Sequence, residues 1–237
     1  MTEKPLPLQR VQRAPLPRPS TELAQSRPCF LTGVGRTFAT ASPLQDVTTQ
    51  QTIFGMMDSP GSVHVLRADC PAGQRLRVQL FSPVLQRGRA PAMALAVVAQ
   101  GLRTVFDGPK PPIHLPAGYG AVSVGPVTKQ AIPLVDRIAG ARFFAGPAVD
   151  EVTLVGGRCY ILVWSPDNQP GKYLLQVGYA PFQAGRLAAL LAWWRIRGWF
   201  GLSRMAGMVA LPAVLLTVWL VLRLSAGRRR ALRAEGM

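Results

Sequence analysis

Residues 158–178 read Arg158-Cys-Tyr-Ile-Leu-Val-Trp164, Ser165-Pro-Asp-Asn-Gln-Pro-Gly171 and Lys172-Tyr-Leu-Leu-Gln-Val-Gly178. Aromatic and aliphatic residues, several of them β-branched, dominate the first and third segments, as is typical of β-strands. The middle segment is rich in Pro, Asp, Asn and Gly, which favour turns because they preset or tolerate the backbone angles of a turn. This stretch therefore predicts two strands separated by a turn, the second of which closes a β domain.

The same succession of strands and turns extends upstream to about residue 45. Residues 62–66 and 74–81 alternate apolar with polar side chains, which predicts strands with one buried face. Residues 93–98 are a continuous apolar run, typical of a central strand covered on both sides. Turn signals recur about every 8 to 12 residues without an intervening helical pattern. We therefore predict a mainly β fold, a β-sandwich or jelly-roll-like domain, over residues 45–180.

Residues 1–44 differ in composition from this predicted domain. They contain prolines among arginines and show no apolar periodicity, so we predict a flexible Pro/Arg-rich leader. A secretory signal needs an uninterrupted apolar stretch of about 7 to 15 residues. The best candidate, residues 29–41, is interrupted by Gly33, Gly35 and Arg36. We therefore predict no signal peptide in this segment. Either the true start of translation differs, or the C-terminal helix inserts by itself after synthesis.

A helical pattern follows the predicted domain, over residues 184–200. Apolar residues recur there at the spacing of one helix face, and tryptophans and arginines lie among them. This combination is typical of the boundary between lipid and water, where an indole ring can be half-immersed. We therefore predict an amphipathic interfacial helix, and the alternative is a helix that caps the sandwich core. The predicted membrane-interface residues of this helix are Trp193, Trp194, Arg195, Arg197 and Trp199.

One C-terminal transmembrane helix is predicted over residues 203–224. Its charge-free part, residues 205–222, would extend about 27 Å as a helix, against a hydrocarbon core of about 30 Å. Residues 225–237 form a basic tail, and Arg228, Arg229 and Arg230 complete the predicted membrane-interface residues. The alternative is a buried helix of a soluble protein, which the arginine cluster directly after the run disfavours.

The net charge of +16 raises the question of nucleic-acid binding. Residues 181–237 hold nine basic residues and one acidic residue, so this segment contributes +8 of the total. Basic residues around an apolar run are typical of contact with anionic lipid head groups. Since no nucleic-acid-binding motif accompanies the charge, we expect no nucleic-acid partner.

The arginines also predict the orientation of the chain in the membrane. Three arginines, Arg195, Arg197 and Arg204, precede the charge-free run 205–222 within ten residues of its start. Five arginines follow it, which are Arg223, Arg228, Arg229, Arg230 and Arg233. Because positive charge is retained on the cytoplasmic side, we predict a single-pass protein with a cytoplasmic tail and a periplasmic or extracellular sandwich. The opposite orientation, a cytosolic sandwich, is the alternative, since translocation of a large domain normally needs an export signal.

Candidates for catalytic chemistry are few. Asp150 and Glu151 are adjacent, but a strand would direct their side chains to opposite faces. His64 and His114 have no nucleophile beside them in the sequence, and motifs for phosphate, dinucleotide or zinc-protease chemistry are absent. We therefore expect a non-catalytic protein without a cofactor or metal. The alternative is a membrane-bound enzyme whose site is assembled from sandwich loops.

The three cysteines are Cys29, Cys70 and Cys159, and no two of them have the spacing of a zinc-binding pair. Cys70 and Cys159 both fall near the ends of predicted strands. A disulfide between them is one interpretation if the domain is exported, and two buried thiols are the other.

Residues 163–178 resemble the closing hairpin of bacterial extracytoplasmic β-sandwich modules, broadly similar to pre-peptidase C-terminal-type jelly rolls. Phe54-Gly-Met-Met-Asp-Ser-Pro60 and Pro71-Ala-Gly-Gln-Arg-Leu-Arg-Val-Gln-Leu80 resemble the opening strands of the same modules. The resemblance covers about residues 45–180 and carries no catalytic residues. It implies an exported, anchored module. The expected partners are therefore the lipid bilayer and an envelope protein or glycan.

Overall fold

The computed structural model describes residues 26–31, 33–84, 92–126, 133–136, 141–182, 185–201 and 215–219. Within these residues the fold is mainly β, with twelve strands followed by the helix α1, Arg186–Phe200. The strands are β1 Arg27–Phe30, β2 Ser42–Pro43, β3 Gln51–Met57, β4 Val63–Cys70, β5 Arg75–Pro83, β6 Ala94–Gln100, β7 Val105–Asp107, β8 Tyr119–Val124, β9 Leu134–Val135, β10 Arg142–Val152, β11 Gly157–Trp164 and β12 Gly171–Val177.

The strands form two six-stranded sheets that pack as a sandwich. The first sheet has the order β1-β3-β12-β5-β10-β9, and the second has the order β2-β4-β11-β6-β8-β7. The central pairings are antiparallel, whereas the pairs β1·β3, β2·β4 and β7·β8 at the edges are parallel. The prediction of a mainly β, two-sheet domain is thereby confirmed.

A hydrogen bond between the sheets shows which faces meet. The ring Nδ1 of His64 on β4 lies 2.7 Å from the hydroxyl oxygen of Tyr173 on β12. Side chains alternate along a strand, so Tyr173, Leu175 and Val177 point into the sandwich while Leu174 points outward. All four are completely buried. The first sheet is therefore covered on both faces.

The second sheet is covered on both faces as well. Its strand β6 is buried from Ala94 to Ala99, as the continuous apolar run predicted. The outer face carries the ring of Tyr160, which packs edge-on against Phe38 at 4.8 Å between centroids. Loop residues before β2 and after β6 pack against the same core, among them Val34, Leu102 and Ile113. These residues cover the outer face of the second sheet, and this cover explains why β6 has no polar side chain from Ala94 to Ala99.

The two strands predicted at residues 158–178 are present, but they do not pair with each other. β11 lies between β4 and β6 in the second sheet, and β12 lies between β3 and β5 in the first. Neither strand has a free edge, so the turn crosses from one sheet to the other. Asn168 in this turn adopts a positive φ of 54°, which asparagine tolerates better than most residues. The resemblance to a closing hairpin is therefore wrong in its pairing.

The sandwich begins upstream of the boundary predicted at residue 45. β1 pairs in parallel with β3, and its Phe30 ring stacks on Phe54 with centroids 4.7 Å apart. Pro28 has no amide hydrogen to donate, and it is accommodated because β1 is an edge strand. These contacts with a distant strand, rather than local propensity, order part of the segment that the sequence predicted as a flexible leader.

The predicted helix over residues 184–200 agrees with α1 to within two residues at its start. Of the predicted spanning helix, residues 203–224, only 215–219 are described, and these are helical. The remaining positions of that prediction, and the basic tail 225–237, lie outside the described residues. In the part of the chain that the structure describes, no helix has the length and apolar character needed to span a bilayer.

Candidate membrane-interface site

The C-terminal half of α1 packs on the outer face of the first sheet. Ile196 and Phe200 are 2% and 6% exposed. They lie in one cluster with outward residues of β3, β5, β10 and β12, which are Phe54, Phe81, Phe143 and Leu174. Fully burying side chains of this size stabilises a fold by about 1.5 to 3 kcal/mol each. The helix is therefore a layer of the domain rather than a free extension.

Two of the predicted membrane-interface residues contact the sandwich directly. The ring of Trp199 meets Phe54 edge-on, with 5.2 Å between centroids. The guanidinium of Arg195 lies 4.4 Å from the centroid of Phe30, in the geometry of a cation–π contact. These two contacts are of the kind expected from the alternative interpretation, in which the helix caps the sandwich.

Lys172 fixes the end of the helix. Its ammonium group donates a hydrogen bond to the carbonyl oxygen of Trp199 and lies 4.9 Å from the centroid of the Trp199 ring. A cation is favourable there because the last carbonyl groups of a helix carry partial negative charge. Gly201 then ends the helix with a φ of 77°, a left-handed conformation that glycine adopts without strain. The chain thus leaves α1 beside the first residues of β12.

The opposite face of α1 presents apolar residues to solvent. Leu190, Leu191 and Trp194 are 53%, 65% and 39% exposed, and we call them the exposed stripe. Beside it, Trp193 is half-buried and its ring lies 4.9 Å from the guanidinium carbon of Arg197. The interfacial role of all five residues predicted on α1 stays a prediction; they are Trp193, Trp194, Arg195, Arg197 and Trp199. Arg228, Arg229 and Arg230 lie outside the described residues.

The sequence did not identify the partners of α1 within the sandwich. They include Phe30, Phe54 and Lys172, and no sequence pattern marked these three residues as contacts of a helix. A signal was nevertheless present, because Leu174 follows Tyr173 and precedes Leu175, so β12 has no polar face over these positions. An outer strand face that is apolar requires a cover.

The His64–Tyr173 pair is the other polar arrangement of note. His64 is 6% exposed and Tyr173 is completely buried. Burial lowers the pKa of His64 to about 4, while Asp58 acts to raise this pKa and Arg36 to lower it. Burial also raises the pKa of the Tyr173 hydroxyl. Both groups are therefore neutral near pH 7, and their hydrogen bond holds the two sheets together.

The burial of His64 predicts that the free energy of unfolding decreases as the pH is lowered. The folded pKa of about 4 lies below the ordinary value of 6.5, so the unfolded chain binds more protons between these values. The contribution of neutral His64 to the free energy of unfolding should therefore be fully present above pH 6.5. Acidification to pH 4 should lower the free energy of unfolding by about 3 kcal/mol. Denaturant titrations at successive pH values measure this slope. A His64→Asn variant should have a flatter profile, and an unchanged slope in that variant would assign the effect to other groups.

Among the residues that the structure describes, no group of three or more His, Cys, Asp or Glu side chains converges as a metal site would require. Asp150 instead accepts two hydrogen bonds from Arg75, at 2.7 Å to Nε and 2.6 Å to a terminal nitrogen. This ion pair connects β10 to β5. Of the adjacent residues Asp150 and Glu151, Asp150 therefore forms an ion pair between neighbouring strands.

Fold and site together define a two-sheet β-sandwich with a helix bound to its outer face. No protein-family model matches the chain, and no curated protein matches it. Among solved structures, the chain is similar to the pre-peptidase C-terminal domain of collagenase from Bacillus anthracis. The identity is 15% and the TM-score is 0.30, over 56% of this chain and 90% of that domain. This similarity carries no argument by itself, so the fold assignment rests on the strand pairings.

Proposed function

We propose that this chain is a single-pass, membrane-anchored β-sandwich module that binds an envelope protein or glycan outside the cytoplasm and has no catalytic activity. The observation that carries the proposal is the placement of α1. The helix is bound to the first sheet and ends at Gly201, four residues before the charge-free run 205–222. The anchor therefore follows a rigid element of the domain rather than a long linker.

The exposed stripe supports an arrangement in which α1 lies near the bilayer surface. Leu190, Leu191 and Trp194 offer an apolar face, and Arg195 and Arg197 offer positive charge beside it. Apolar side chains enter the acyl boundary while arginines remain among anionic head groups. The two faces of α1 thus have different roles, one toward the sheet and one toward lipid.

The opposite end of the sandwich offers a surface for a partner. Val152, Leu154 and Val155 in the β10–β11 turn are 47%, 73% and 47% exposed. Thr153 holds this turn in place, since its hydroxyl donates to the carbonyl oxygens of Pro71 and Gln74 at 3.0 and 3.1 Å. The turn lies at the end of the domain where β12 finishes, whereas α1 ends beside the start of β12. This apolar tip therefore lies at the opposite end of the domain from the last residue of α1.

Membrane fractionation tests the anchoring. Deletion of residues 201–237 should release the protein into the supernatant after carbonate washing, because the charge-free run is removed while α1 and the sandwich remain. The matched control is deletion of residues 225–237, which keeps the run and should leave the protein in the membrane pellet. If the longer deletion still sediments with washed membranes, the run is not the sole anchor and the exposed stripe becomes the candidate.

The same full-length protein tests the orientation. A reporter that is active only in the cytoplasm is fused to Met237. Activity of the fusion supports a cytoplasmic tail and an exported sandwich, as the excess of arginines around and after the run favours. A well-expressed but inactive fusion would reverse the orientation.

A further inference from the structure

Cys70 and Cys159 lie side by side on neighbouring strands. Cys70 is the last residue of β4 and Cys159 is the third residue of β11. In the antiparallel register, Cys70 is opposite Gly157 and Cys159 is opposite Ala68. The cysteines are therefore diagonal neighbours on one face of the sheet. Gly157 places no side chain between them.

Both thiols are enclosed in the sandwich interior. Val163 is opposite His64, which reaches Tyr173 in the other sheet, so alternation directs Val163, Ile161 and Cys159 inward. Cys70 and Cys159 are each 1% exposed. A hydrogen bond to Cys70 raises the pKa of Cys159, and burial raises it further. A thiol held protonated in this way is a poor metal ligand or nucleophile.

We propose that Cys70 and Cys159 are an oxidative modification site and form a disulfide when the chain folds in an oxidising compartment. The oxidant is a small-molecule disulfide, such as oxidised glutathione, or the disulfide of an oxidoreductase. One cysteine thiolate attacks the oxidant, releases one thiol and forms a mixed disulfide. The second cysteine displaces the other thiol, so the two cysteines together lose two protons and two electrons to the oxidant.

The bond must form before the core closes, because the folded protein excludes the oxidant. It would link residues 70 and 159 and restrict the unfolded chain over a long loop. In the loop-entropy treatment, such a crosslink raises the melting temperature of a domain of this size by about 10 °C. Cys29 is excluded as a partner in the folded domain, since it lies on β1 in the other sheet and its thiol donates to Gln51 at 3.7 Å.

Peptide mapping of the full chain tests this proposal independently of membrane location. The chain is synthesised in a cell-free system with mild detergent, once with oxidised glutathione and once with dithiothreitol. It is then denatured, alkylated with N-ethylmaleimide and digested with trypsin without reduction. We expect the oxidised sample to contain residues 68–75 linked to residues 159–172, two hydrogens lighter than the separate peptides. The peptide of residues 14–36, which holds Cys29, should carry the alkyl group.

Variants provide matched controls. Cys29→Ala should retain the linked peptide, and Cys70→Ala should leave Cys159 alkylated in both samples. The melting temperature should differ between the oxidised and reduced full chain and be the same in both conditions for the Cys70→Ala/Cys159→Ala double variant. Alkylation of both cysteines in the oxidised sample would overturn the proposal, and so would equally abundant links to Cys29. The peptide map of the unsubstituted chain decides the matter even if the double variant does not fold.

Discussion

Replacement of Trp164 by alanine should lower the free energy of unfolding by about 3 to 5 kcal/mol, the usual cost of truncating a buried aromatic ring. Trp164 is the last residue of β11 and is 4% exposed. Alternation from the inward Val163 places its ring on the outer face of the second sheet. The loss would arise because the surrounding side chains cannot collapse fully into the space that the indole leaves.

Guanidinium unfolding of the full chain in mild detergent, followed by far-ultraviolet circular dichroism, measures this effect. The control is Trp194→Ala, which removes the same ring from the exposed stripe, where 39% of the residue is in solvent. That change should cost less than about 1 kcal/mol. Equal losses for the two variants would show that Trp164 does not contribute a buried ring to the core.

Replacement of Gly55 by alanine should be nearly as damaging. Gly55 faces Tyr173 across the β3·β12 pair. A methyl group at Gly55 would overlap the Tyr173 ring and lie 2.6 Å from its Cε1 atom. The ring cannot move aside easily, because it is completely buried and its hydroxyl is bonded to His64. Overpacking at such a site costs about 3 kcal/mol.

A double-mutant cycle isolates this steric conflict. In a Tyr173→Leu background, Gly55→Ala should cost much less, because the ring that obstructs the methyl group is gone. Gly185→Ala is the control, since an added Cβ at Gly185 meets no atom within 4 Å and its φ is −64°. If Gly55→Ala costs the same with and without the Tyr173 ring, the conflict lies elsewhere.

The elements of the fold were largely predictable from sequence, because alternation and turn residues are local signals. Helix α1 was predicted to within two residues for the same reason. The partner of each strand was not predictable. β11 and β12 are consecutive, and sequence alone suggested a hairpin, whereas the structure places them in different sheets. The choice depends on which strand edges are already occupied, and no property of residues 158–178 encodes this.

The binding face of α1 shows a second limit of sequence reasoning. The helix has apolar residues on both sides, Leu190 and Leu191 on one and Ile196 and Phe200 on the other. Periodicity identifies an apolar face but does not distinguish lipid from protein as the environment that covers it. The contacts of Ile196 and Phe200 depend on Phe54, almost 150 residues upstream. Strand β1 was not predicted either, because its order depends on the stacking of Phe30 on Phe54 of another strand.

The crossing of residues 165–170 from one sheet to the other has a kinetic consequence. β11 and β12 each occupy the third place in a six-stranded sheet, so the two sheet centres are adjacent along the chain. β11 pairs with β4, about 95 residues earlier in the sequence, and β12 pairs with β3, about 120 residues earlier. Contacts of such long range are typical of slow folding, on the order of milliseconds to seconds. Neither sheet can form its central pairings until residues 157–177 have been synthesised. During synthesis, strands β3 and β4 therefore remain without these partners until the chain has reached residue 177.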